Sequence, residues 1–368
     1  MATVGAMCPS SSPDSPGPAP TGALRGRGAS YNPPNRFERV HLQPDPDGEP
    51  GDQPHPKTEF YFDASESILT ENDSPDVPYT LGLNVYRGCE HGCAYCYARP
   101  YHEYLGWGSG LDFETKILVK QRAPELLRKE FESPRWVPQP ITMSGVTDCY
   151  QPGERSLKVT RRCLEVFAEF RNPVSLITKN FLVTRDIDLL AQLARFSCSA
   201  VYVSVTTLDT DLAGRLEPRA TRPDQRLKAI RALADAGIPV GVMVAPIIPG
   251  LTDHELPAIL DAAAAAGARR ASYVMLRLPH SVKDLFSRWL EEQLPGKKDR
   301  VLERVRSIRG GQLNVSDWGK RMKGEGIFAE QTHALFSAVA RRTGLDRGRM
   351  DLSTDAFRRP GGVQLTLL

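Results

Sequence analysis

The sequence lacks both a long apolar run and a recognisable leader. Its longest apolar stretch, Gly237–Leu251, contains three prolines and is too short to span a bilayer. The first residues do not show the basic segment followed by an apolar one that a signal peptide requires. We therefore expect a cytoplasmic protein that makes no contact with a membrane.

Cysteine and net charge are also scarce. The chain has seven cysteines, an odd number, and four of them are scattered: Cys8, Cys149, Cys163 and Cys198. This excludes a disulfide framework of the kind found in small secreted domains. The net charge of +3 gives little overall field for binding nucleic acid, although 47 basic residues are enough to form a local patch.

The other three cysteines form the most informative pattern in the chain, Cys89-x3-Cys93-x2-Cys96. Thiolates are soft ligands that hold iron–sulfur clusters or zinc, and three of them within eight residues can surround one metal centre. In a four-iron cluster, three ligands leave one iron open to bind a small molecule. The spacing therefore favours a reactive metal centre.

Two other interpretations of these cysteines are less favoured by the sequence. A cluster that only carries electrons is disfavoured, because no fourth cysteine stands at ferredoxin spacing. A structural zinc site completed by His91 or His102 would make the chain a metal-stabilised binding protein without turnover. The lack of a second cysteine knuckle argues against that alternative.

From Tyr79 onward, apolar runs alternate with amphipathic helical stretches, a rhythm typical of repeated βα units around a parallel sheet. Six runs read as buried strands: Tyr79–Val85, Ile141–Gly145, Val174–Thr178, Ala200–Val205, Val240–Ile247 and Ala271–Leu276. Because eight strands close a full barrel, six predict an α/β fold with a partial (β/α)6 TIM-type barrel.

The flanking regions differ from this core in composition. Residues 1–35 are rich in Pro, Ser and Gly, which predicts a disordered N-terminal tail. Residues 36–78 are predicted to be an extension packed on the barrel core of residues 79–280. A helical C-terminal region is expected at residues 281–345, followed by a polar tail at 346–368.

Polar side chains follow several predicted strands. They include Ser144–Asp148 after the second strand, Thr178–Asn180 after the third, and Ser204–Thr207 after the fourth. Ligands bind at the carboxyl ends of parallel strands, so one edge of the sheet is expected to collect the chemistry. Lys179 would meet a carboxylate or phosphate there, or else form a structural ion pair.

The cysteine spacing, Tyr95 and the βα rhythm resemble the radical S-adenosylmethionine (SAM) superfamily, and within it the branch related to spore photoproduct lyase. The closer resemblance rests on the segments Arg25–Ala29, Asn35–Glu38, Gly145–Pro152, Leu176–Asn180, Leu216–Ala220 and Val244–Gly250. It extends from about Arg25 to the sixth strand.

This resemblance implies that Cys89, Cys93 and Cys96 bind a [4Fe–4S] cluster whose fourth iron chelates SAM. A one-electron reductant, such as flavodoxin or ferredoxin, would then allow cleavage of the sulfonium to a 5′-deoxyadenosyl radical that abstracts hydrogen from a substrate.

It also implies a set of cofactor contacts. Tyr95 would lie near the adenine, and Ser144, Gly145, Thr147 and Asp148 near the methionyl amine. The chain departs from the Gly-Gly-Glu pattern common in the superfamily, and Asp148 supplies the carboxylate present in that region. Ser204 or Thr206 would approach the ribose, and Val244 would pack on the adenine.

The substrate is left open by the sequence. The branch includes a lyase that repairs a DNA lesion, in which a cysteine near the second strand donates hydrogen. Cys149 is the candidate for that role, and the alternative is a packed core thiol. The aromatic segment Tyr97–Trp107 would stack nucleic-acid bases or else form a helix that excludes water, and Trp318–Lys323 is either a second nucleic-acid contact or an exposed loop.

Overall fold

The computed structural model describes residues 24, 26–37, 57–348 and 350–360. Its strands are β1 (Glu59–Phe62), β2 (Leu69–Glu71), β3 (Leu81–Leu83), β4 (Tyr86–Arg87), β5 (Lys116–Val119), β6 (Ile141–Met143), β7 (Val174–Thr178), β8 (Ser199–Ser204), β9 (Val240–Ile247) and β10 (Arg270–Met275).

The α-helices are α1 (Leu111–Thr115), α2 (Ala123–Glu132), α3 (Glu154–Leu157), α4 (Val159–Phe170), α5 (Ile187–Ala194), α6 (Thr210–Leu216), α7 (Pro223–Asp235), α8 (Leu256–Ala265), α9 (Val282–Gln293), α10 (Lys298–Ser307), α11 (Lys320–Lys323) and α12 (Ile327–Thr343). Short 3-10 helices cover Arg99–Leu105, Phe181–Asp186, Asp253–Glu255 and Pro295–Lys297.

The main sheet has the order β10-β9-β8-β7-β6-β3-β2. Its strands β3, β6, β7, β8, β9 and β10 are parallel neighbours that follow chain order, and β2 lies antiparallel on one edge. No pairing among the described residues joins β10 to β2, so the sheet is open. The predicted α/β fold with a partial six-stranded barrel is confirmed.

The helices cover one face of this sheet because their apolar residues recur at helical spacing. In α4, for example, Cys163, Phe167 and Phe170 are fully buried. Phe131 of α2 lies 5.5 Å from the ring of Phe167, measured between centroids. The barrel core therefore lies between the sheet and the outer helices, as expected for parallel strands buried on both faces.

A second sheet of three strands has the order β1-β5-β4, and the sequence analysis did not anticipate it. Strand β1 lies parallel to β5, and β4 lies antiparallel to β5. This sheet positions the cysteine segment, because β4 ends at Arg87, directly before Gly88 and Cys89.

Part of the predicted tail lies on the core. Ala29, Ser30 and Asn35 are buried, so residues 26–35 are ordered against the barrel rather than disordered. Residues 1–23 and 25, which make up the rest of that prediction, lie outside the described residues, as do 38–56 and 361–368. Within the described residues, no helix has both the length and the apolar character needed to cross a bilayer.

Candidate active site

One cavity of about 430 Å³, a volume typical of small-molecule sites, opens at the carboxyl edge of the sheet. Its inner wall consists of lining residues from the cysteine segment Cys89–Cys96 and from the ends of β6 to β9. Its mouth is lined by residues from three segments, 72–79, 97–101 and 318–322, together with Arg277. The predicted gathering of polar side chains at one sheet edge is therefore observed.

Cys89, Cys93 and Cys96 all line this cavity as free thiols. The segment that carries them, which we call the cysteine loop, is fixed at both ends by backbone hydrogen bonds. Cys89 N donates to Phe113 O at 2.8 Å, and Ala94 N donates to Leu216 O at 2.9 Å. The loop therefore presents three soft donors from fixed positions.

Three thiols at one cavity are a donor set that suits an iron–sulfur cluster. No three His, Cys, Asp or Glu side chains in the described part of the chain converge closely enough to hold one metal ion. Thiolates around a cluster of several irons stand further apart than those around one tetrahedral zinc. Burial raises the pKa of each of the three thiols, so binding metal requires release of their protons.

Neither histidine considered for zinc is available to the thiols. His91 Nδ1 lies 3.4 Å from Asp148 Oδ2, and its Nε2 lies 3.2 Å from Asn180 Nδ2. His102 packs against Phe113 and Trp107, away from the cavity lining. Burial lowers the pKa of His102 to about 4.

Asp148 lines the cavity, but its carboxylate already accepts three hydrogen bonds from the protein. Thr178 Oγ1 and the amide of Tyr150 donate to Oδ1 at 2.8 and 2.9 Å, and the amide of Lys179 donates to Oδ2 at 2.8 Å. Burial alone would raise the pKa of Asp148, but His91 and these amides lower it to about 2. This carboxylate therefore ties the ends of β6 and β7 together.

The inner wall also includes a buried ion pair between Glu217 and Arg226, which lies beneath its lining residues. Burial alone would raise the pKa of Glu217, but Arg226 and then Lys179 lower it to about 2. Lys179 itself lines the cavity. Burial opposes its charge, but the neighbouring Cys93 and Glu217 raise its pKa, so the inner wall carries a cation beside the thiols.

Four further residues that were predicted to contact SAM also line the cavity: Tyr95, Ser144, Gly145 and Ser204. The hydroxyl of Tyr95 donates to Glu217, which leaves the ring as the exposed part of the side chain toward the cavity. Ser144 adopts a left-handed backbone conformation with φ of 67°, and its hydroxyl accepts from Cys149 N at 2.8 Å.

Four predicted positions do not line the cavity. Thr147 Oγ1 donates to Tyr86 O at 2.7 Å, and Thr206 Oγ1 donates to Glu217 Oε1 at 2.8 Å, so both hydroxyls bind protein groups. Val244 packs in the core because strand side chains alternate, which turns its neighbours Met243 and Ala245 toward the cavity. Cys149 belongs to the same core.

The mouth contains residues that the sequence analysis passed over or read differently. Arg277 lies two residues after the end of β10, and its guanidinium carbon is 5.3 Å from the centre of the Tyr97 ring. Its position after the sixth predicted strand is the feature of the sequence that could have identified it as a site residue. Trp318, Arg321 and Met322 line the cavity from the C-terminal region, in the segment predicted to be either a second nucleic-acid contact or an exposed loop.

Comparison with known proteins agrees with this site. The model of the Radical SAM superfamily matches residues 83–263, which run from the last residue of β3 through the cysteine loop and β4 to β9. An uncharacterized protein of Mycobacterium tuberculosis is 36% identical over 242 residues, which cover 65% of this chain and 71% of that protein. A second uncharacterized protein, from Methanocaldococcus jannaschii, is 33% identical over 47% of this chain and 62% of its own length.

Two further similarities concern named proteins. A radical SAM Nalpha-GlyT isomerase of Pseudomonas phage M6 is 27% identical over 52% of this chain and 35% of that protein. Spore photoproduct lyase complexed with dinucleoside spore photoproduct has a TM-score of 0.53 at 14% identity, covering 77% of this chain and 78% of the lyase. This second likeness shows a shared fold.

Two findings thus support the superfamily that the cysteine spacing predicts. The superfamily model matches this chain from Leu83 onward, and the chain covers 71% of the Mycobacterium tuberculosis protein. The chain belongs to the radical SAM superfamily.

Proposed function

We propose that the protein is an enzyme that holds a [4Fe–4S] cluster on Cys89, Cys93 and Cys96 and cleaves SAM reductively to abstract hydrogen from a substrate. The observation that supports this most directly is the arrangement of three free thiols around one cavity, two of them buried and that of Cys96 partly buried. When bound, the cluster supplies an electron to the sulfonium of SAM.

The chain's own residues have three tasks in this proposal. Lys179 binds an anionic group in the cavity, since its ammonium makes no hydrogen bond to another described residue and lies beside the thiols. Tyr95 offers a ring face for the adenine. The mouth residues restrict access of water, which protects a reactive intermediate from side reactions.

The test is anaerobic reconstitution with iron and sulfide, followed by reductant and SAM. We expect iron, acid-labile sulfide and 5′-deoxyadenosine from the wild type, with loss of all three in Cys93→Ala. Cys163→Ala is the matched control, because Cys163 is buried in α4, away from the cavity lining. A protein that takes up zinc and no sulfide would contradict the proposal and support the binding protein without turnover.

A second candidate is a lyase of the spore photoproduct type, acting on a nucleic acid. It is favoured by the exposure of Tyr101, Tyr104 and Trp318, which are 55%, 66% and 53% exposed. Arg321 stacks on Trp318 at 3.9 Å, and Arg36 lies 5.5 Å from the Tyr104 ring. Exposed rings next to arginines are typical of surfaces that bind single-stranded nucleic acid.

Binding of a fluorescent single-stranded oligonucleotide tests this candidate. Anisotropy should rise with protein concentration, and the affinity should fall as salt increases, because phosphate contacts release counterions. Tyr101→Ala should weaken binding, and Phe62→Ala, at an exposed ring on β1 outside the cavity lining, should not. Equal affinities for the two variants would contradict a role for the mouth in nucleic-acid binding.

A further inference from the structure

A short segment that precedes β1 lies directly against the cysteine loop. Its backbone amides bind one buried carboxylate: Gly28 N donates to Glu114 Oε2 at 3.1 Å, and Ala29 N donates to Glu114 Oε1 at 2.9 Å. Arg27 Nη1 adds a hydrogen bond of 3.0 Å to the carbonyl oxygen of Glu114. We call residues 26–29 the strap.

The strap approaches the cysteine loop more closely than any side chain would allow. A Cβ atom on Gly28 would lie 1.6 Å from the carbonyl oxygen of Gly92 and 3.0 Å from Ala94 N. Gly92 lies between Cys89 and Cys93 and has a φ of 64°, and a Cβ there would be 2.6 Å from Glu114 Oε2. The backbones of strap and loop are therefore in direct contact, and the position of one limits that of the other.

Glu114 also connects the strap to Cys93 through Arg99. The guanidinium of Arg99 donates to Glu114 Oε1 at 2.5 Å and, through Nε and Nη2, to the carbonyl oxygen of Cys93 at 3.1 and 2.9 Å. Both side chains of this ion pair are fully buried. A continuous set of hydrogen bonds thus runs from the amides of residues 28 and 29 to the backbone of a proposed ligand.

We propose that the strap, with Glu114 and Arg99, positions the cysteine loop for cluster binding and sets the environment of the cluster. This inference rests on the proposed function, since it concerns the same cysteines. Hydrogen bonds and charges around a cluster control its reduction potential, and partners of metal ligands control affinity. A shift of the Gly92 carbonyl would move Cys89 and Cys93 relative to one another.

The sharpest test is Gly28→Ala, because only the added methyl group disturbs the loop. The matched control is Gly214→Ala, at a position in α6 where a Cβ meets nothing within 4 Å. We expect Gly28→Ala to bind the cluster roughly tenfold more weakly and to change the electron paramagnetic resonance spectrum and midpoint potential of the cluster that remains. Gly214→Ala should match the wild type in all three measurements.

A metal-free measurement separates this inference from the proposed function. Alkylation of Cys93 and Cys96 in the apoprotein should be faster in Gly28→Ala than in Gly214→Ala. The reason is that the displaced strap no longer holds the cysteine loop in place. Arg27→Ala, which removes the hydrogen bond to Glu114 O at the half-buried end of the strap and leaves the buried ion pair intact, should give an intermediate rate in a folded protein.

The outcomes are distinct. A wild type that binds no iron and sulfide would contradict the proposed function, and the alkylation rates would still test the strap. Equal alkylation rates in the two glycine variants, or equal cluster content, spectrum and potential, would overturn the role of the strap.

Discussion

The inner wall and the mouth of the cavity are built in opposite ways. In the inner wall, Asp148 accepts three hydrogen bonds within 2.9 Å, and Glu217 is paired with buried Arg226. In the mouth, Trp318 is 53% exposed, and the main tie between its N-terminal and C-terminal segments is Arg321 with Asp76 and Ser74.

This contrast separates two requirements of the site. The groups next to the thiols are held in one arrangement because a buried charge without its partner is costly. The C-terminal part of the mouth is held chiefly by Arg321, so it is able to differ in arrangement with less effect on the inner wall. We infer that the inner wall carries the chemistry shared by the superfamily and that the mouth selects the substrate.

The largest expected effect is loss of charge within the inner wall. Glu217→Gln leaves Arg226 buried without its counter-ion and should lower the free energy of unfolding by about 3–5 kcal/mol. Urea denaturation of the metal-free protein measures this. Glu291→Gln, at a pair in which the glutamate is 66% exposed, is the matched control and should not change stability measurably. Equal losses of unfolding free energy in the two variants would contradict the difference expected between buried and exposed ion pairs.

The same carboxylate predicts how stability depends on pH. The pKa of Glu217 is lowered from its usual value of 4.5 to about 2, chiefly by Arg226 acting against burial. A lowered pKa means that the stabilisation is fully present above about pH 5 and is lost as pH falls from about 4.5 toward 2. Urea midpoints measured between pH 7 and pH 2 should show this loss, and the curve of Glu217→Gln should be flatter. If the urea midpoint of Glu217→Gln depended on pH as strongly as that of the wild type, the loss of stability could not be assigned to Glu217.

A change at the mouth should affect binding and not stability. Arg277→Met removes a guanidinium whose Nε has no hydrogen-bond partner among the described residues, so little stability depends on it. Affinity for the single-stranded oligonucleotide should fall roughly tenfold, the size expected for one lost hydrogen bond to a charged group. Arg269→Met makes the same change just before β10, at the opposite end of that strand, and should bind like the wild type. Equal binding by both variants would argue against a substrate-selecting mouth.

Sequence patterns predicted the inner wall better than the mouth, for physical reasons. The six strands lie in short, near-continuous apolar runs, and the cysteine spacing is local, so both can be read directly. Val244 was misplaced because a strand buried on both faces has no polar alternation to show which residues point inward. The position of Trp318 depends on contacts between distant segments, such as Asp76 with Arg321, which no local pattern encodes.

The smallest expected effect tests the tie that closes the mouth. Asp76 accepts hydrogen bonds from Gly319 N and Arg321 Nε, both at 2.6 Å. Asp76→Asn removes the charge from this tie, and local opening should cost about 1 kcal/mol less, which corresponds to about fivefold faster hydrogen exchange in residues 317–323. Asp73→Asn, at a neighbouring exposed position of the same segment, should leave exchange unchanged. Among the described residues, no hydrogen bond or ion pair joins this tie to the inner wall, so exchange in the cysteine loop should be the same in both variants. Faster exchange there would show that the two regions are not independent.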